Sequence, residues 1–409
     1  MQEDVQIPNL RHLLGVAAIA ERGTLSGASQ AINLSQPALT QGLCRIEADL
    51  GVELFRRKSK GMSLTEPGRL FARRLGRGIA FLQRAGALAG RANLHRIVTL
   101  AQLRALVVTV EAGGFRAGAA TLGLETSSIS RAYRELEQNC EVQLLERTSA
   151  GLRPTVQAEK IARFAKLALA EFRQAMLDAL GWQGSITGRL AIGCLPLAQT
   201  ALLPEALARF AREFPNVSPQ VTDGYYASLA RGLKRGDLDL VVGALRHHDL
   251  PDGLLQTRLF TDRLILVARP GHPLVRQREV TRSDLAAFPW IAPRRGAPSR
   301  AYFDALHDTF GNVEGVPRPI ETGVHGVMYG LLMRTDRLTI ISSSQVSREI
   351  ELGTLGRIAF VLPDTSREIG VTVSEDWLPA PPHSRFLELL GEAVAATIDP
   401  VGVPQAPAD

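Results

Sequence analysis

Three cysteines in 409 residues, Cys44, Cys140 and Cys194, stand far apart with no CxxC pair and no Cys/His spacing. That scarcity excludes a disulfide framework and a zinc-ribbon site, and it predicts reduced thiols acting as small buried residues. Long apolar runs are lacking too, because each hydrophobic stretch meets Arg, Glu or Gly well before the ~18 residues a membrane span needs. Met1 to Asn9 carries acids and no apolar h-region, so neither export nor membrane insertion is expected, and the expected location is cytoplasmic. Signatures of catalysis are missing as well: there is no GxGxxG, no P-loop, no GxSxG elbow and no HExxH. The nearest approach to a metal pair is His247-His248 beside Asp249, and adjacent residues in a loop make poor co-ligands. No enzyme activity, no metal and no cofactor are expected.

What the chain does have is positive charge at one end. The net charge is a modest +6, yet residues 1–97 hold 14 Lys/Arg against 7 Asp/Glu while the remainder nearly cancels. A basic front module is the footprint of a polyanionic partner; a solvated face with spare arginines is the plainer alternative. The length suggests about two to four domains at ~100–200 residues each. The 45% hydrophobic content supplies ordinary cores.

The front of the chain repeats. A shift of 90 residues aligns Leu10 with Leu100, Glu21 with Glu111, Gly23 with Gly113, Leu34 with Leu124 and Glu47 with Glu137, without a gap. The register continues through Leu54/Leu144, Gly61/Gly151 and Thr65/Thr155. Two copies of one module, each with a trailing helical segment, account for the first part of the chain.

In the first copy, Leu10, Leu13, Leu14, Ala17 and Ala18 mark an amphipathic helix ending near Gly23, and Leu25, Ala28, Ala31 and Ile32 mark a second. After the turn at Asn33-Leu34, Ser35 can cap a third helix, and Pro37 is tolerated because first-turn amides have no helical partner to lose. Leu39, Leu43, Ile46 and Leu50 then fall on one buried stripe. Pro37, Gln41, Cys44 and Ala48 point away from it, with Gln36, Thr40 and Arg45 on its flanks. A helix entering the major groove needs such slim amide and hydroxyl side chains near its N-terminus. Arg56, Arg57, Lys58 and Lys60 follow around Gly61 as a hairpin-like basic wing suited to phosphates.

The stretch "SQPALTQGLCRIEADLGVELFRR" with the following "LTEPG" resembles the winged helix-turn-helix of LysR-type transcriptional regulators from Leu10 to Gly68. The resemblance implies that Gln36, Pro37, Thr40 and Gln41 lie toward the bases of double-stranded DNA, with Gln41 standing where the family often carries arginine; Ser35 at the cap and Arg45 on the flank are expected to join the DNA contact. It also implies assembly as a homo-dimer or homo-tetramer.

The second copy, "LETSSISRAYRELEQNCEVQLLER", keeps a buried stripe at Ile129, Tyr133, Leu136 and Cys140. It offers Thr126, Ser127, Ser130, Arg131 and Arg134 outward, but Glu125 takes the capping place, and Glu146 and Thr148 replace wing cations. Either it reads DNA or it serves as a dimerising or spacing module. Of the trailing segments, Phe71 to Gly90 is interrupted by Gly76, Gly78 and Gly86, whereas Val156 to Leu180 has no Gly or Pro and carries Ile161, Phe164, Ala168, Phe172, Ala175 and Leu180 as a stripe. The second is expected to be the better helix, and because the resemblance to LysR-type regulators implies that the helix after the winged domain pairs two subunits, it is expected to carry the dimer contact; a helix packed on its own domain is the alternative.

Beyond Gly184 strands and helices alternate, from "GRLAIGCL" through "LDLVVGAL", then from "DRLILVARPGHPL" through "RLTIISSS", with "IGVTVSED" and a helix near His383 returning to the first sheet. A parallel α/β sheet is the expectation. The elements resemble the two-lobed effector domain of LysR-type regulators, with the fold of type 2 periplasmic-binding proteins. In such folds ligands sit at strand carboxyl ends beside helix N-termini. The loops there offer Pro196, Leu197, Thr200, Ala244, Arg246, Pro293, Arg294, Arg295, Ser299, Thr322 and His325 to a small-molecule effector, a carboxylate or a sugar.

The expected organisation is thus mostly α at the front, with winged helix-turn-helix modules at 1–95 and 96–183. A two-lobed α/β effector domain follows at 184–400, lobe I being about 184–268 and 370–400 and lobe II about 269–369. The expected function is a ligand-responsive transcriptional regulator. The alternative is a metabolite-binding or protein-interaction module whose front repeat does not read DNA.

Overall fold

The computed structural model describes residues 6–58, 61–149, 151–182, 186–247, 249–311 and 316–397. The chain divides into two compact units, Met1–Gly188 and Arg189–Asp409. Among the described residues no helix is long and apolar enough to cross a membrane.

The first unit runs α1 (Leu10–Arg22), α2 (Leu25–Ile32), α3 (Gln36–Leu50), a hairpin of β1 (Phe55–Lys58) and β2 (Gly61–Leu64), and α4 (Glu66–Leu88). A short α5 (Leu94–Ile97) leads to the second copy: α6 (Leu100–Ala112), α7 (Phe115–Leu122), α8 (Thr126–Cys140), β3 (Leu145–Thr148), β4 (Gly151–Pro154) and α9 (Val156–Gly181). The repeat extends to single hydrogen bonds between the third helix and the wing. Glu47 Oε1 accepts from the Leu54 and Phe55 amides at 2.7 and 3.2 Å, and Glu137 Oε1 accepts from the Leu144 and Leu145 amides at 2.8 and 3.2 Å. Each glutamate ties its third helix to its wing through two backbone amides.

The modules expected at 1–95 and 96–183 do not have separate cores. One apolar cluster runs from Leu10 to Ala179, because α4 and α9 pack along each other. The stripe expected to pair subunits is spent inside the chain: Ile161, Ala168, Phe172 and Ala175 are buried, and Phe172 lies against Gly78. A Cβ at Gly78 would come within 2.4 Å of the Phe172 ring, so this glycine trades helix propensity for close approach. At the same interface Arg74, with a side chain only 3% exposed, pairs with Asp178 at 2.9 Å and Glu171 at 3.2 Å, and Arg77 pairs with Glu171 at 2.9 Å. Cys140 and Cys194 are buried as expected, and burial pushes the Cys194 thiol up to about 12; Cys44, expected buried, is exposed on α3.

The second unit contains two five-stranded sheets. The first has β5 (Gly188–Cys194), β6 (Val217–Asp223), β7 (Leu240–Ala244), β8 (Leu254–Asp262) and, later in the chain, β14 (Arg367–Ser374), in the order β6-β5-β7-β14-β8. Helices α10 (Leu202–Glu213) and α11 (Tyr226–Arg235) connect its early strands. The other sheet has β9 (Leu264–Ala268), β10 (Trp290–Ala292), β11 (Ile320–Glu321), β12 (Leu338–Ser342) and β13 (Gly356–Arg357), in the order β11-β10-β12-β9-β13. With it go α12 (Arg282–Ala286), α13 (Pro298–His307), α14 (His325–Leu332) and α15 (Ser347–Glu351); α16 (Pro381–Thr397) returns to pack on α10.

Both sheets are mixed rather than parallel. The strands β5 and β7 run parallel, whereas β14 is antiparallel to β7 and β8, and β9 is antiparallel to β12 and β13. The reversed strands, β9 and β14, are each the first strand after a crossing between sheets. Strand β8 was unread in the sequence because its residues do not alternate cleanly and its pairing with β14 is bulged at Ile369/Gly370. Strand β9 belongs to the second sheet, so a lobe boundary at 268 assigns it to the wrong one.

Candidate DNA-reading surface and effector cleft

The third helix of the first copy starts as its sequence requires. The Ala38 amide donates to Ser35 Oγ at 3.4 Å, Pro37 lies in the first turn, and Asn33 takes the left-handed conformation that ends α2. Leu39, Leu43, Ile46 and Leu50 are buried; Ser35, Gln36, Pro37, Gln41 and Arg45 are exposed, and Thr40 is half-buried with its hydroxyl donating to the Gln36 carbonyl at 3.0 Å. Gln36, Pro37, Thr40 and Gln41 line one shallow depression together with Leu25 and Ser29 of α2. The wing exposes Arg56, Arg57 and Lys58; Lys60 lies outside the described residues. The Met62 amide donates to the Gly23 carbonyl at 2.8 Å, pinning the wing to the α1–α2 corner, and a Cβ at Gly61 would strike that same carbonyl.

In the second copy Ile129, Tyr133, Leu136 and Cys140 are buried, and Thr126, Ser127, Arg131 and Arg134 are exposed. Ser130 is half-buried and donates to the Ser127 carbonyl at 3.1 Å. Arg131 holds Glu135 at 3.0 Å with its side chain 84% exposed, a contact that costs little to break. Glu125 occupies the N-cap without capping by its side chain. Substitutions at the two caps should therefore have opposite signs. Ser35→Ala should cost about 1 kcal/mol, and Glu125→Ser should gain about 0.5–1 kcal/mol, with hydrogen exchange in the first turn of α3 or α8 as the measurement. Equal effects at both positions would contradict the capping assignment.

In the second unit a cleft lies at the strand ends where the two sheets meet. Pro196, Leu197, Ala244, Arg246, Pro293, Arg294, Ser299, Thr322 and His325 all line it. Thr200 and Arg295 do not: Thr200 Oγ1 donates to the Gln345 carbonyl at 2.9 Å, and the Arg295 side chain is 86% exposed beside Glu321. His248 lies outside the described residues. Sequence reasoning missed Tyr225, Tyr226 and Arg367, which line the same cleft from the N-cap of α11, its first residue and β14. A strand-end rule does not find aromatic residues at a helix start.

The cleft is cationic and partly aromatic. The Arg246 guanidinium stacks 4.9 Å from the Tyr226 ring centre, and Arg294 lies 4.2 Å from that of Tyr225 while donating to the Gly224 carbonyl at 3.0 Å. Burial holds Arg246 below the ordinary guanidinium value, against the opposing pull of Tyr226. Its Nε is buried with no hydrogen-bond partner among the described residues. Arg367 is instead neutralised by buried Asp262 at 2.8 Å, which also accepts from Ser342 Oγ, Ser343 Oγ and the Ser344 amide. Burial lowers the His325 pKa below the ordinary imidazole value, and its Nδ1 lies 3.2 Å from Gln345 Nε2.

Known proteins bear out this architecture. Residues 183–395 match the LysR substrate binding domain, and residues 10–69 and 100–159 each match the bacterial regulatory helix-turn-helix protein of the lysR family. The HTH-type transcriptional regulator GalR of Pseudomonas putida is 34% identical over 92% of this chain and 95% of its own length. The HTH-type transcriptional regulator PcaQ of Agrobacterium fabrum is 28% identical over 68% of this chain and 89% of its own. A full-length OxyR variant from Pseudomonas aeruginosa shares the fold with a TM-score of 0.51 at 17% identity, covering 76% of this chain and 99% of its own. These relatives are regulators, not enzymes, and they do not favour an interaction module without a DNA-reading front. LysR regulators bind DNA and small-molecule effectors and form oligomers. The chain belongs to the LysR family and is a DNA-binding transcriptional regulator with two helix-turn-helix modules and one effector-binding domain.

Proposed function

We propose that the first copy reads base edges with Gln36, Pro37, Thr40 and Gln41, flanked by Ser35 and Arg45, while Arg56, Arg57, Lys58 and Lys60 of the wing hold phosphates. The carrying observation is the division of α3 into a buried stripe and an exposed, slim polar face beside an exposed basic hairpin. Thr126, Ser127, Ser130, Arg131 and Arg134 form the corresponding face of the second copy. A dimer of chains then presents four recognition helices. A mobility-shift titration of the full chain on its own upstream DNA tests this. Binding through about six phosphates should weaken about 10³-fold between 50 and 200 mM salt, and no retention at low salt on any fragment sinks the reading.

In the second unit, we propose that the cleft takes a small carboxylate in preference to a sugar. Arg246 supports this, being a half-buried cation beside an aromatic ring whose buried Nε–H is unsatisfied among the described residues, a group whose desolvation an anion offsets. Pro196, Leu197, Ala244 and Pro293 supply apolar wall, and Arg294, Ser299, Thr322 and His325 further polar contacts. The effector acts by preferring one arrangement of the lobes over another.

A further inference from the structure

The α4–α9 contacts obey a symmetry that the chain need not have had. Arg74 meets Asp178, Arg77 meets Glu171, Gly78 meets Phe172, Phe81 meets Phe164, and the Leu88 carbonyl accepts from Gln157 Nε2. Numbers rise on one helix as they fall on the other, so the helices are antiparallel. A residue of α4 corresponds to the residue 90 further on in α9. Under a two-fold axis, the contact of Arg74 with Glu171 must then have a mate between positions 81 and 164. That mate exists as the Phe81–Phe164 pair, with ring centres 6.3 Å apart. The two copies are thus related as the halves of a two-fold dimer.

The pairing is also unlike at the matched places that carry charge or rings, Arg74/Phe164 and Phe81/Glu171. Were α4 to pair with another α4, buried Arg74 would face Phe81 and have no acid. Were α9 to pair with another α9, buried Glu171 would face Phe164, and Phe172 would meet Ala168 where it now meets Gly78. Each self-pairing buries an unpaired charge, so only the unlike pair is satisfied.

We infer that one chain is a self-contained reader with two different heads, and that each chain recognises two unlike half-sites rather than an inverted repeat. This rests on the DNA-reading assignment above. In a two-fold reader the recognition helices address half-sites about one helical turn apart, about 10 bp. The α3 face offers the amides of Gln36 and Gln41, which suit adenine N6/N7, whereas α8 offers Arg131 and Arg134, which suit guanine O6/N7. One block should therefore depend on A·T pairs and the other on G·C pairs.

Selection of duplexes from a randomised library by the full chain tests the inference, alongside Gln36→Ala/Gln41→Ala and Arg131→Ala/Arg134→Ala. All four positions are exposed, so the variants should fold, which circular dichroism checks. The expected consensus has two non-equivalent blocks, each double substitution flattening one of them by about 5- to 100-fold in base discrimination and sparing the other. An inverted repeat of one block, or a consensus indifferent to Arg131 and Arg134, overturns the inference while leaving the first copy as a DNA reader. A wild-type chain that selects no sequence and shows no salt-sensitive retention removes the DNA-reading assignment itself, and this inference with it.

Discussion

Arg74→Ala is expected to lower the unfolding free energy of the N-terminal unit by about 3–5 kcal/mol, the cost of leaving a buried acid without its partner. The side chain of Asp178 is 2% exposed and that of Glu171 11%, and Arg74 is the cation common to both. Arg77 still reaches Glu171, and Gln174 still donates to Asp178 at 2.7 Å, so the loss falls mainly on the uncompensated charge of Asp178. Calorimetry of the full chain measures the change, and hydrogen exchange should place it in α4 and α9. The informative control removes the buried charges together. Arg74→Met/Glu171→Leu/Asp178→Leu leaves only Arg77, whose side chain is 27% exposed to water, so the cost should fall well below that of the single substitution. If the triple variant is as unstable as Arg74→Ala, packing and not charge dominates the interface, and the pairing code argued above loses its basis.

Arg246→Met should weaken carboxylate binding by about 10- to 100-fold, corresponding to charge-assisted hydrogen bonds worth about 1.5–3 kcal/mol. Methionine keeps the apolar contact with Tyr226 and removes only the charge and its donors. Thermal shifts with a panel of mono- and dicarboxylates, set beside neutral sugars, provide the measurement, because a ligand at about 100 times its Kd stabilises by about 2.7 kcal/mol. A carboxylate that stabilises the wild-type chain and Arg246→Met equally would take the guanidinium out of the site. A sugar that stabilises where every carboxylate fails would reverse the proposed effector class.

Much of the DNA-reading module was legible because its determinants are local. The cap at Ser35, the tolerance of Pro37 and the burial of Leu39, Leu43, Ile46 and Leu50 follow from residues within a few positions of one another. The wing followed from composition around Gly61. The effector cleft was legible at its strand ends, where nine of the eleven expected residues converge. Thr200 and Arg295 stand beside the cleft loops in sequence, yet Gln345 and Glu321, each far away in the chain, draw them to other partners.

The amino-acid sequence by itself determined the repeat, the elements of each copy, the amphipathic faces and the alternation of the effector domain, since each is written in short-range periodicity and capping. Only the tertiary structure decided which faces meet. The stripe of α9 was visible as apolar, but nothing in its spacing distinguishes a second subunit from α4, whose partner residues lie roughly a hundred positions earlier. Gly78 beside Phe172 and Arg74 between two acids settle that choice, because close backbone approach and charge neutralisation are properties of a pair of surfaces. The mixed sheets have the same origin: strand direction at β9 and β14 is fixed by where the chain crosses between lobes, which no local pattern records.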